Sequence, residues 1–103
     1  MEGGDNMSTY ISLISLTQKG IENIKESPTR LNKAKELFKS MGAEIKEFYL
    51  VTGRYDMVVV SEAPDDETVA KVALAIGSTG AIRTETLRAF TEDEYRKIIA
   101  ALP

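Results

Sequence analysis

The chain has no cysteine and no histidine among its 103 residues. Without cysteine there is no disulfide, no thiolate nucleophile and no thiolate metal site, a composition suited to a reducing compartment. Without histidine, a His-based triad, a His-ligated zinc and a His-ligated haem are all excluded. Acid–base chemistry would fall to Asp, Glu, Tyr or Lys. No apolar run approaches the ~20 residues that span a bilayer, and the N-terminus lacks the charged-then-apolar pattern of a signal peptide. A cytoplasmic protein without a membrane partner is expected. A surplus of positive charge is missing too. The 16 acidic and 13 basic residues leave a net charge of −3, the wrong balance for a nucleic-acid binder. No zinc-finger, helix-turn-helix or phosphate-loop spacing occurs, and neither a metal nor a cofactor is expected.

What remains is an ordinary globular composition, 43% hydrophobic, in a length that suits one core. Polar, Gly-rich Met1-Glu2-Gly3-Gly4-Asp5-Asn6 reads as the start of a disordered tail over residues 1–8, with one domain over 9–103. Tyr10 to Leu16 carries apolar residues on both faces and reads as a strand. Thr17-Gln18-Lys19-Gly20 reads as a turn, with Ile21–Lys25 as a connector. Ser27-Pro28 marks a helix start. Leu31, Ala34, Leu37, Phe38 and Met41 make its apolar stripe, and Gly42 its C-terminal stop.

A second strand over about Ala43–Val51 alternates Glu44, Lys46, Phe48, Leu50 against Ile45, Glu47, Tyr49, Val51. Gly53 supplies the positive φ of a tight hairpin turn. Met57-Val58-Val59-Val60 then offers apolar side chains to both faces, the mark of a central strand. Pro64-Asp65-Asp66-Glu67 opens a second helix with acidic groups at the favourable end of its dipole. Val69, Val72, Ala73 and Ile76 form its stripe. A fourth strand runs over about Ala81–Phe90. Thr91 and Glu94 are spaced as a capping box before a last helix bearing Tyr95, Ile98, Ile99 and Leu102.

This order predicts an α+β fold, the ferredoxin-like βαββαβ sandwich with a C-terminal helix. Its helices cover one face of the sheet only, yet the third strand is apolar toward both. Pairing the bare faces of two copies into a dimeric α/β barrel removes the patch from water, so a homodimer or a larger homo-oligomer is expected.

Thr17-x-x-Gly20, Ser27-Pro28-x-Arg30, Gly53-x-Tyr55-Asp56, Glu62-Ala63-Pro64-Asp65-Asp66 and Arg83-Thr84-Glu85-Thr86-Leu87-x-Ala89-Phe90 together resemble the GYD domain family. The likeness covers nearly the whole chain beyond the tail, with Arg54 standing between the glycine and the tyrosine. It implies the dimeric α/β barrel of the ferredoxin-like superfamily. A weaker likeness is to the effector-binding domain of leucine-responsive, asparagine-synthesis-type regulators, whose oligomers bind amino acids.

The ligand-binding candidates are Tyr10, Tyr49, Tyr55, Asp56 and Thr84, polar groups on or beside strands that should be mostly buried. Ser12, Glu47 and Thr86 share that setting. Singly, each has a structural reading: Asp56 bonding turn N–H groups, Tyr55 packing at the hairpin, the hydroxyls pairing across strands. Lys19, Lys25 and Arg30 read as a solvated basic face, and Asp65, Asp66 and Glu67 as a helix cap rather than a metal cluster. The function expected is binding of a small metabolite in a ligand-sensing or regulatory role. The alternative is a cofactor-independent oxygenase or isomerase using Tyr55, Asp56, Tyr10 and Tyr49. A purely structural assembly domain stands third.

Overall fold

The computed structural model describes residues 7–103. Residues 1–6, most of the expected tail, lie outside the described residues. Ser8, assigned by sequence to that tail, instead opens the first strand and pairs with Ala63. Four strands, β1 (Ser8–Leu16), β2 (Glu44–Leu50), β3 (Met57–Ala63) and β4 (Ile82–Ala89), form one antiparallel sheet in the order β2-β3-β1-β4. The two central strands are the two that are apolar toward both faces. Four helices accompany them: α1 (Gln18–Glu22), α2 (Ser27–Ser40), α3 (Asp66–Gly77) and α4 (Glu92–Ala100). This is the expected ferredoxin-like α+β sandwich.

On the helix-covered face, Met57, Val59, Ser61 and Ala63 of β3 are all buried. Tyr10 and Ile14 join them from β1, and Phe38 and Val72 descend from α2 and α3. Strict alternation on β2 puts Ile45 and Phe48 on opposite faces, and here the structure differs. A bulge at Lys46 shifts the register, so Ile45 pairs with Ser61 and Phe48 with Val59. The extra residue turns both side chains toward the core at the cost of one ladder position.

Local punctuation follows the residues. Helix α2 ends in a Schellman motif, with Ala43 N–H bonding Phe38 C=O at 2.9 Å and Gly42 N–H bonding Lys39 C=O at 3.1 Å. At its start, a 3-10 turn (Ile24–Glu26) runs straight into the helix, so Ser27 is the first helical residue and Glu26 holds the cap position without a side-chain bond. Thr91 and Glu94 form the reciprocal capping box of α4. Thr17-Gln18-Lys19-Gly20 is not a free turn: Thr17 caps α1 by accepting from Gly20 N–H at 3.1 Å. The β2–β3 connection is wider than a two-residue hairpin. Gly53 has φ +124°, and Val51 N–H closes the loop on Asp56 C=O at 2.9 Å.

The opposite face of the sheet is bare. Two rows cross it, Tyr49–Val58–Leu13–Glu85 and Glu47–Val60–Ile11–Leu87, apolar in the middle and each ending in one carboxylate. Helix α4 is bare too, with Tyr95, Ile98, Ile99 and Leu102 all exposed, and it packs on no other element to any extent.

Candidate functional site

The five candidate residues do not converge. Tyr10 is in the core under α3, where its hydroxyl donates to Asp66 Oδ1 at 2.5 Å. Tyr49 stands half-exposed on the bare face. Tyr55 lies on that same face and donates to Glu85 Oε1 at 2.8 Å, in an open hollow of about 240 Å³ shared with Leu13, Ser15, Arg83 and a second candidate, Thr84. That bond to Glu85 is the main cause that raises the Tyr55 phenol above its ordinary value. Asp56 sits at the end of the sheet, accepting Leu16 N–H through Oδ2 at 2.8 Å while its own N–H bonds Ile14 C=O at 2.8 Å. Thr84 alone lines an internal hollow.

Two of these residues therefore act in the architecture. Asp56 fastens the end of β1 across to the β2–β3 loop, a longer reach than a bond within its own turn. Asp56→Ala leaves the Leu16 N–H unpaired and is expected to cost about 1–3 kcal/mol. Asp56→Asn, which keeps an acceptor oxygen, should lose much less in urea denaturation. Tyr10 is held above its ordinary value of 10.0, first by burial and then by its bond to the Asp66 carboxylate. A raised phenol contributes stability that is complete below pH 10 and lost as the pH climbs through the higher folded value. Tyr10→Phe is expected to lose about 1–2 kcal/mol at neutral pH and to shed less stability than the parent between pH 9 and pH 11, measured by denaturant titration at each pH.

The acidic run resolves as a cap. Asp65 Oδ1 accepts both the Thr68 N–H at 2.8 Å and its hydroxyl at 2.7 Å, and these bonds lower its pKa. Its contribution is present above pH 3.8 and is lost as acid carries the pH down through the folded value. Ser12 and Thr86 pair across β1 and β4 with their hydroxyl oxygens 3.2 Å apart. Of the three basic residues near the first loop, Lys19 donates to Thr79 C=O at 2.9 Å, Lys25 is exposed, and Arg30 turns elsewhere.

Arg30 belongs to a concavity that is almost wholly apolar. Helices α2 and α3 barely touch, and between them a cleft of about 200 Å³ reaches down to the sheet. Leu31, Ala34 and Leu37 form one wall, Ala75 and Ile76 the other, and Phe48 and Val59 are part of the floor. Arg30 and Lys33 are the only ionisable residues in its lining. A smaller hollow of about 60 Å³ shares Ile14, Val59, Ile76 and Ile82 with it and continues beneath α3 to Ser12, Thr84 and Thr86. The Arg30 guanidinium donates through Nη1 to Asn23 C=O at 3.1 Å, whereas Nη2 is buried without a partner among the described residues. Sequence reasoning placed Arg30 on a solvated face. The signal that would have singled it out is a cation in the first turn of a helix, where the dipole favours an acid.

Comparison with known proteins agrees with this architecture. The chain is 39% identical over 84 residues to the "Glutamine synthetase and cystathionine beta-lyase binding protein" of Thermus thermophilus, covering 81% of this chain and 88% of that protein. Among solved structures it resembles a feast or famine regulatory protein of M. tuberculosis complexed with L-methionine. The TM-score is 0.62 at 16% identity, covering 90% of this chain and 60% of the other. SnoaB, a cofactor-independent oxygenase of Streptomyces nogalater, matches with a TM-score of 0.53 at 10% identity, over 84% of this chain and 94% of the other. At such identities these two likenesses speak for the fold alone. The GYD domain family model matches residues 10–99, and the chain belongs to the GYD domain family.

Proposed function

We propose that this chain is a regulatory binding domain that acts as a homodimer, takes a small metabolite in the α2–α3 cleft and docks on a metabolic enzyme. The observation that carries the reading is the cleft itself, apolar, open to solvent and lined by no carboxylate or phenol. Such a pocket suits binding; Lys33 and Arg30 are its ionisable groups, and it holds no acid–base pair. An oxygenase or isomerase working through Tyr10, Tyr49, Tyr55 and Asp56 is disfavoured, because the sheet separates Tyr10 from Tyr49 and Tyr55.

The homodimer is supported by the bare face, where Val58, Val60, Ile11 and Leu13 form an apolar centre that extends to Leu87 and Tyr49. Stacking two such faces gives the dimeric α/β barrel. The apolar stripe of α4 supports it further, since a helix of nine residues is marginal in water unless it packs on something. The enzyme partner is suggested by the name of the Thermus relative. Glutamine synthetase and cystathionine β-lyase from this chain's own organism are the two enzymes to try.

The ligand is tested by a thermal-shift screen of amino acids and central metabolites on the full chain. A true ligand at ~100 times its Kd stabilises by about 2.7 kcal/mol, a Tm rise of about 10 °C or more for a domain this small. Silence across the screen would remove the metabolite from the reading. Binding of the two purified enzymes, measured by interferometry, tests the partner separately.

A further inference from the structure

We infer that the α2–α3 cleft takes a small apolar monocarboxylate, its carboxylate on Arg30 and its hydrocarbon body between the two helices. This rests on the cleft being a small-molecule site and adds the class of molecule. The walls are hydrocarbon from Leu31, Ala34, Leu37 and Ile76, which selects an apolar body. At about 200 Å³ the space lies below the ~300–1,000 Å³ of drug-sized pockets, so the body is a medium-length chain or a single ring.

The charge is set by the mouth. Arg30 Nη1 is anchored on the Asn23 carbonyl, which fixes the plane of the guanidinium. Nη2 is left out of water with no acceptor, and no carboxylate pairs with Arg30 among the described residues. Buried guanidinium nitrogens ordinarily have partners, because the unmade bond is costly. A swing of the side chain that turns Nη2 toward the cleft would let an anionic oxygen complete the inventory. Lys33, one turn further along α2, adds a second positive charge at the same cleft. Arg30 lies at the first turn of the helix, where the dipole also favours an anion. A carboxylate suits the planar donor fork of arginine.

The test is calorimetric titration of the full-length protein at pH 7 with octanoate and, as a neutral match, octanamide. Octanoate is expected to bind about ten-fold or more tightly than octanamide, the worth of one charge-assisted bond. Arg30→Met keeps the stem and is expected to erase most of that preference, because octanoate loses a charge-assisted bond while octanamide loses only a neutral one. Arg30→Lys, which keeps the charge without the fork, should fall between, and it stands in if the methionine variant fails to fold. Ala34→Phe fills the cleft and should abolish both ligands. Equal binding of octanoate and octanamide, or unchanged octanoate affinity in the Arg30 variants, would overturn the carboxylate assignment and leave a small-molecule cleft standing. No binding of either overturns the assignment as well, and the metabolite screen then decides the fate of the cleft independently.

Discussion

Replacing Val60 with aspartate is expected to convert the proposed homodimer to a monomer at micromolar concentration. Val60 lies at the middle of the bare face, paired with Ile11 on one side and Glu47 on the other. In an isolated chain the aspartate would meet solvent, and the penalty would be the loss of β-propensity, at most about 1 kcal/mol. Between two stacked sheets it becomes an unpaired charge in an apolar setting, costing about 3–5 kcal/mol per buried charge. Two copies would place two such charges near one another across a two-fold interface. Light scattering behind size exclusion separates the outcomes. A folded monomer supports the sheet-to-sheet dimer. A Val60→Asp protein that remains dimeric would exclude this face as the interface.

The second large effect is expected at Gly20. This glycine is buried in α1, and a Cβ built on it would lie 2.1 Å from the Ala81 carbonyl oxygen and 3.1 Å from Leu16 Cδ2. The clash is with backbone, which has little room to retreat. That carbonyl already accepts the Thr17 N–H at 3.0 Å, Thr17 donates its hydroxyl to Gly80 C=O at 2.6 Å, and Lys19 reaches Thr79 C=O. Helix propensity alone would make Gly20→Ala stabilising by about 1 kcal/mol. The overlap should reverse the sign and cost about 1–3 kcal/mol or more, a fall in Tm of several degrees. Gly77 makes the control, since a Cβ there meets open space. Gly77→Ala should be neutral or slightly stabilising. An equal, favourable response at both sites would mean that α1 does not press on the α3–β4 turn.

Much of the fold was legible in the sequence because its signals are local. The valine run of β3, the stripe from Leu31 to Met41, Gly42 and the Thr91–Glu94 box each act within a few residues, and each stands where the pattern put it. The bulge at Lys46 escaped because alternation presumes an unbroken ladder, and what overrode it was the burial of Ile45 and Phe48 together. Helix α1 escaped because five residues are too few for a periodic signal, and tertiary bonds from Thr17 and Lys19 hold it in place. The candidate site was much less legible. Tyrosines on strands announce polar groups, yet the face each one takes depends on register with strands far away in the chain. Tyr10 and Tyr49 thus look alike in sequence and end on opposite sides of the sheet. Arg30 reads as one more surface cation until the 3-10 turn before it brings the Asn23 carbonyl within reach and folds the guanidinium into the cleft.

The most direct test of a ligand-binding dimer is native mass spectrometry of the full chain, purified without detergent or denaturant. A dimer or a higher even multiple that carries added small-molecule mass, removed by mild collisional activation, is expected. A bare monomer would contradict both halves of the claim, the stacked sheets and the occupied cleft.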